Sequence, residues 1–170
     1  MSWMRGLGGL AVVPAIAFGV VYWMGLRLPV EHRAVASGRV EATQDRVWAL
    51  VDEPATHPAW RKGILKVAMQ QGDGRCWIES YRPMELTLCV VDEVPKVRKV
   101  VRIGGTDTRF GGTWTYELRP LGPDATVVTV TEDGFVHRPL WRFMGRYVMG
   151  EQTSAKQFVA DLQAEAVRKR

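Results

Sequence analysis

Cysteine is scarce in this chain. Two residues, Cys76 and Cys89, stand among 170. That is too few for a disulfide framework, and zinc ligation usually needs Cys or His at close spacing. Two reduced, buried thiols are one reading; a single bridge is the other, if the two lie opposite each other on a hairpin, where a one-residue register change would separate them. A strong charge excess is lacking too. The net charge is +5, and setting aside Arg5 and Arg27 leaves 21 basic against 18 acidic residues. An excess that small and scattered, with no recognition motif, argues against nucleic acid as a partner. There is no phosphate-binding loop, Gly-x-Ser-x-Gly, HExxH or paired-cysteine motif, so no cofactor, metal or catalytic residue is assigned. Repeats and low-complexity segments are absent as well.

What is present begins with a run of twenty residues, 7–26, that carries no charge: LGGLAVVPAIAFGVVYWMGL. As a helix it matches the ~30 Å apolar thickness of a bilayer. Tyr22 and Trp23 stand near one end, where amphipathic rings favour the interface, and Arg5 and Arg27 close the two ends. The run is longer than a signal peptide's apolar stretch of about 7–15 residues. The small-x-small triplet at 34–36 also lies beyond Arg27, Glu31 and Arg33, so the expectation is a retained single-pass anchor at 1–28 with a linker at 29–33. Counting Lys and Arg beside the run places the following domain in the cytoplasm, whereas Arg5 and the amino terminus argue the reverse.

Residues 34–42 read as a strand. Thr43 fits a helix N-cap with Asp45 in the first turn, and Val47, Leu50 and Val51 share one face of a short helix that Pro54 ends. A second helical turn follows in THPAWRKGI. From 64 to 135, turn signals recur at Gly72-Asp73-Gly74, Arg82-Pro83, Pro95, Gly104-Gly105 and Gly122-Pro123-Asp124, which predicts an antiparallel meander of about six strands. The clearest is 113–119, with Trp114, Tyr116 and Leu118 on one face. Leu86, Leu88 and Val90 form a second apolar row; Val97, Val101 and Ile103 form a third, interrupted by Lys99. From Pro139 to the C-terminal VRKR the pattern is helical. Leu140, Met144, Tyr147 and Val148 begin its apolar stripe, Phe158, Val159, Leu162 and Ala166 extend it, and Gly145 and Gly150 mark a kink or break. Arg138, Arg142 and Arg146 recur every four residues, as a solvated face or one set against anionic headgroups.

This order resembles the START-like, or SRPBCC, superfamily, in particular its polyketide cyclase/dehydrase and lipid-transport group. The resemblance is carried by Val47-Trp48, Asp52, His57-Pro58-Ala59-Trp60, FGGTWTYEL at 110–118 and TVTEDG at 129–134, across roughly 34–162. It implies an α+β helix-grip fold spanning 34–170: a curved antiparallel sheet of six to seven strands around a long C-terminal helix, with an apolar cavity between them. Trp60, Glu79, Trp114, Tyr116, Met144 and Tyr147 are the candidate cavity residues. Each has a plainer explanation. Trp60 also reads as a plug that fixes the helices on the sheet, and one of Trp114 and Tyr116 as core filling. Glu79 reads as outward if Cys76 and Ile78 take the inner face. His57 as a general base would need an orienting carboxylate; a solvent-facing or capping role is the simpler one. The leading expectation is a membrane-anchored domain that binds a small apolar ligand such as a lipid, isoprenoid or polyketide, without catalysis. The alternatives are a cyclase- or dehydratase-type enzyme and a non-catalytic interaction protein.

Overall fold

The computed structural model describes residues 6–72, 75–104 and 109–168, with the backbone alone for 6–12. Arg5, Asp73-Gly74, Gly105 and the last two residues lie outside the described residues. The chain forms α1 (Gly6–Arg27), β1 (Glu31–Val40), α2 (Gln44–Asp52), a 3-10 turn and α3 (His57–Trp60). Six further strands follow: β2 (Lys66–Met69), β3 (Cys76–Ser80), β4 (Glu85–Val94), β5 (Arg98–Ile103), β6 (Phe110–Pro120) and β7 (Thr126–Val136). The chain ends in α4 (Pro139–Met144), a π-helical turn (Gly145–Met149) and α5 (Thr153–Ala166). The sheet has seven strands in the order β1-β7-β6-β5-β4-β3-β2, and every neighbouring pair is antiparallel. The expected meander is therefore β2 to β7, and β1 joins it by pairing with β7.

Local chemistry explains most of these elements. The Thr43 side chain accepts a hydrogen bond from the Arg46 amide at 3.2 Å, satisfying one of the free donors at the start of α2. Val47, Leu50 and Val51 then turn inward together. In β6 the alternation of Trp114, Tyr116 and Leu118 puts all three in the core. Curvature has two identifiable sources. The β4–β5 register slips between Val90 and Asp92, a bulge that bends β4. Gly112 sits directly opposite Gly134 at φ +148°, and a Cβ there would fall 2.2 Å from the Asp133 carbonyl oxygen. Only glycine permits that approach.

α5 crosses the concave face with Ala155, Phe158, Val159 and Leu162 buried against the sheet. Burying a side chain such as Leu162 contributes about 2 kcal/mol. Lys99, the interruption in the third apolar row, does point inward. Its ammonium lies 2.6 Å from the Asp52 carboxylate at the C-terminal end of α2, where the helix dipole favours a cation.

Three expectations change. β1 starts at Glu31, inside the expected linker, because its first residues pair with the end of β7, Glu31 opposite Phe135. The C-terminal helix is not one long rod: the chain leaves the helical path at Gly150, φ +83°, and only α5 lies in the grip. The third concerns the anchor. The apolar run does form α1, 22 residues long, but no helix among the described residues is long and apolar enough to cross a membrane. Its end docks on α4, so closely that a Cβ on Gly25 would lie 2.1 Å from the Pro139 carbonyl oxygen.

Cys76 and Cys89 are direct partners across β3 and β4, and they form a disulfide. With a sequence separation of 13, loop-closure entropy assigns the bridge about 3 kcal/mol. Replacing both by serine should lower the unfolding free energy in urea by up to that amount, with β2 and β3 losing amide-exchange protection first. Unchanged stability and protection would show that the hairpin's register is held without the bridge.

Candidate functional site

β3 alternates strictly, and the disulfide fixes its register at one end. Trp77 and Glu79 are therefore buried, while Cys76 and Ile78 are only partly covered on the other face. Glu79 is thus inward, at 1% exposure. A carboxylate out of water must find donors, and this one has four. Its Oε1 accepts from Trp77 Nε1 at 3.1 Å, from Arg61 Nη1 at 2.8 Å, and from His57 Nδ1 at 3.1 Å. Its Oε2 accepts from the Tyr81 hydroxyl at 2.6 Å.

His57 and Arg61 are delivered by α3 and the residue that follows it, four positions apart. The expected solvent-facing or capping histidine is corrected: His57 is 3% exposed. An ionised carboxylate only accepts, so the bond to Glu79 puts the imidazole proton on Nδ1. Arg61 Nη1, 3.1 Å from that same nitrogen, then bonds to Glu79 and not to the ring. His57 Nε2 is buried with no hydrogen bond of good geometry, and the Leu50 carbonyl lies near enough to the ring to raise its pKa. α5 holds this loop in place: the buried Asp161 accepts from the Lys62 amide at 2.9 Å and from Gln157 Nε2 at 2.7 Å.

Around these polar groups stand aromatic rings centred on Phe158 of α5. Its ring lies 5.7 Å from Trp60, 5.9 Å from Trp114 and 5.0 Å from Tyr116, and the Arg61 guanidinium carbon sits 5.1 Å over it. Trp114 Nε1 is buried and unpartnered. Among the described residues, the guanidinium of Arg61 bonds through Nη1 to Glu79, and its other nitrogens, on a side chain 11% exposed, keep donors to offer. The space under α5 is thus filled by aromatic rings and not preformed as an open void. Two open depressions lie away from it. One, about 460 Å³, is bordered by Ile103, Phe110 and Phe135; the other, about 480 Å³, by His32 and Phe135.

Of the candidate residues, the structure brings Trp60, Glu79, Trp114 and Tyr116 to this interior. Met144 is only partly covered and Tyr147 is exposed; both belong to the segment before Gly150. Arg61 was missed, although its spacing of four from His57 was a usable signal. Among the described residues no group of His, Cys, Asp and Glu could hold a metal ion.

The electrostatics follow from the packing. Burial alone would raise the Glu79 pKa; the bond from His57, the charge of Arg61 and the bonds from Tyr81 and Trp77 outweigh it and hold it at about 2. Burial lowers the pKa of His57, and the charge of Arg61 adds to that against the pull of Glu79, so the ring is neutral at pH 7. Burial pushes the Tyr81 and Tyr116 hydroxyls well above their ordinary value, so both remain protonated.

The chain matches no family model and no curated protein. Solved structures do match. A START superfamily protein from Mycobacterium smegmatis superposes with a TM-score of 0.64 at 16% identity, covering 79% of this chain and 97% of the other. The Zhui aromatase/cyclase from Streptomyces sp. R1128 gives 0.61 at 13%, covering 80% and 93%. Norcoclaurine synthase from Thalictrum flavum gives 0.62 at 17%, covering 82% and 88%. The fold is therefore the START-like helix-grip fold. At these identities the likeness defines the fold and leaves the activity to the site.

A depressed carboxylate pKa stabilises the fold fully above the unfolded value and loses that contribution as pH falls through the folded one. For Glu79 the window runs from its ordinary 4.5 down to about 2. His57, held neutral, adds a separate loss that begins as pH falls below its ordinary 6.5. Glu79→Gln should lower stability at pH 7 and flatten the fall in unfolding free energy between pH 4.5 and 2. A variant whose acid limb parallels the wild type would show that Glu79 is not ionised in the folded protein.

Proposed function

We propose that this domain binds a small apolar molecule carrying one oxygen-bearing polar end, such as a carboxylate, carbonyl or phenol. The molecule enters between α5 and the sheet. The observation that carries this reading is the half-used guanidinium of Arg61. It is neutralised by Glu79 through one nitrogen and stacked over Phe158, with its remaining donors at the margin of the aromatic interior, the side chain 11% exposed. A donor there gains more from an acceptor than it would in water. The unpartnered Trp114 Nε1 offers a second donor beside the same ring. Entry requires Phe158 and Trp60 to part, a rotamer change on α5, which the π turn and Gly150 already separate from α4. A ligand of aromatic, oxygen-bearing character is supported by the norcoclaurine synthase of Thalictrum flavum solved in complex with dopamine and hydroxybenzaldehyde, which superposes with a TM-score of 0.59.

A second reading is favoured by one specific arrangement. His57 is neutral, carries its proton on Nδ1 toward Glu79, and leaves Nε2 without a hydrogen bond of good geometry. That is the arrangement of a general base with an orienting carboxylate. In an enzyme of the cyclase or dehydratase type it would take a proton from a carbon beside the carbonyl that Arg61 polarises.

Membrane attachment remains part of the proposal. What supports it is the exposure of Val13, Ile16, Phe18 and Val20 along α1. For the side of the membrane, the Cys76–Cys89 disulfide is the supporting observation. Such bonds persist in oxidising compartments, which supports placing the domain outside the cytoplasm, against the Lys/Arg count.

The test is calorimetric titration of the full chain with 2-naphthoate and with 2-methylnaphthalene. The carboxylate should bind about ten- to a hundredfold more tightly, the range of a hydrogen bond to a charged group. Arg61→Met alone would strand a buried Glu79, so the comparison uses Arg61→Met/Glu79→Gln, which should abolish the preference while circular dichroism stays native. Equal binding of the two probes by wild type would remove Arg61 as the receptor. No binding of either, with no co-purifying molecule by native mass spectrometry, would remove the ligand reading itself.

A further inference from the structure

The segment 138–149 is a helical stretch that buries nothing: neither α4 nor the π turn contributes a core residue. Its large apolar side chains face outward, Trp141 at 54%, Tyr147 at 56% and Val148 at 62% exposure, and Met149 with them. In a protein whose core lies elsewhere, such a surface has a use or it is a liability. Its other stripe is basic. Arg138, Arg142 and Arg146 recur every four residues, with Arg142 anchored by a bond to the Leu28 carbonyl at 3.0 Å. Among the described residues, the one carboxylate that pairs with this stripe is Glu151, 3.0 Å from Arg146. The segment packs on the end of α1, where Gly25 meets Pro139. Exposed Trp23 and Leu26 and Arg27, stacked over Trp23 at 5.0 Å, extend the surface. Apolar side chains, interfacial aromatics and arginines are thus exposed on two elements that touch.

We propose that 138–149 lies in the surface of an anionic bilayer, with Trp141, Tyr147, Val148 and Met149 at the boundary between headgroups and acyl chains and the arginine stripe on the phosphates. The chemistry is that of an interfacial amphipathic helix. The charge on one face selects lipid over an apolar protein partner, and contact with α1 supplies the approach. The π turn and Gly150 loosen the orientation of the segment from that of α5. The inference uses the reading of α1 as a membrane helix, and the experiment separates the two.

With Cys76 and Cys89 bonded to each other, a nitroxide on Val148→Cys in the full chain is a single label. Its accessibility to oxygen and to a nickel chelate is read in vesicles of phosphatidylglycerol and phosphatidylcholine in equal parts, and in phosphatidylcholine alone. Reference labels sit at Phe18→Cys on α1 and at Asp124→Cys in the turn at the opposite end of β7. The expected result is a Val148 label that is oxygen-accessible and nickel-protected in the anionic vesicles, with the Asp124 label aqueous. Arg138→Gln and Arg146→Gln should each reduce the inserted fraction relative to the exposed one by about fivefold. An aqueous Val148 label beside a lipid-buried Phe18 label overturns the surface docking and leaves the anchor standing. Both labels aqueous overturns the two together. Equal insertion into phosphatidylcholine alone overturns the role of the arginines. Spin–spin broadening at Val148 without oxygen access assigns the face to a second copy of the chain instead.

Discussion

A carboxylate moved out of water carries a cost of several kcal/mol that only hydrogen bonds and an opposite charge offset. Glu79 meets that condition by drawing donors from two separate pieces of chain: His57 and Arg61 from α3 and its exit, and Trp77 and Tyr81 from β3 and its end. Around that one side chain the short helices are tied to the edge half of the sheet, a region whose backbone contributes little else to the core. The disulfide at the far end of β3 and the Asp161 bond to the Lys62 amide fix the two arms that reach it. If Glu79 is lost, Arg61 has no counter-charge, the His57 proton has no fixed place, and α3 has no polar tie to β3.

The same interaction decides what the interior can do. Because Glu79 uses only one nitrogen of Arg61, the cation is held but not exhausted, and because it fixes the proton on His57 Nδ1, the second ring nitrogen is left bare. Both consequences appear in a setting made apolar by Phe158, Trp60, Trp114 and Tyr116. A polar cluster serving stability alone would be expected to satisfy its members; His57 Nε2 and Trp114 Nε1, neither with a hydrogen bond of good geometry, are the departures that point to a ligand.

How much of this could be read from the sequence differed with the kind of signal. β6 was legible because Trp114, Tyr116 and Leu118 alternate with polar residues, so that only one face can be the core. α2 was legible because Thr43 and the 47-50-51 spacing agree with each other. β3 resisted because both of its faces carry buryable residues; alternation alone does not choose between Cys76-Ile78 and Trp77-Glu79, and the choice is made by donors that lie 18 and 22 positions away. His57 resisted for a related reason: a histidine in a four-residue helix has no periodicity to declare its face. The C-terminal stripe was misleading in the opposite sense. Met144 and Tyr147 keep the helical spacing of Phe158 and Leu162, but spacing says only that residues share a face and not what covers it. The break at Gly150 gives the two halves different surroundings.

That break also explains why one chain can carry a sealed interior and an open apolar face without conflict. If α4, the π turn and α5 were one rod, any force on the exposed half would be transmitted to Phe158 and to Asp161, and through Asp161 to the Arg61 loop. Left-handed backbone at Gly150 and the wider π turn decouple them. The first half is free to take its orientation from α1 and whatever α1 contacts, while α5 takes its orientation from the sheet. The decoupling is incomplete, because Thr153 at the start of α5 still donates to the Met149 carbonyl. A tilt of the outer segment therefore reaches α5 first at its N-terminal end, one and a half turns before Phe158, the ring that has to move for a ligand to enter.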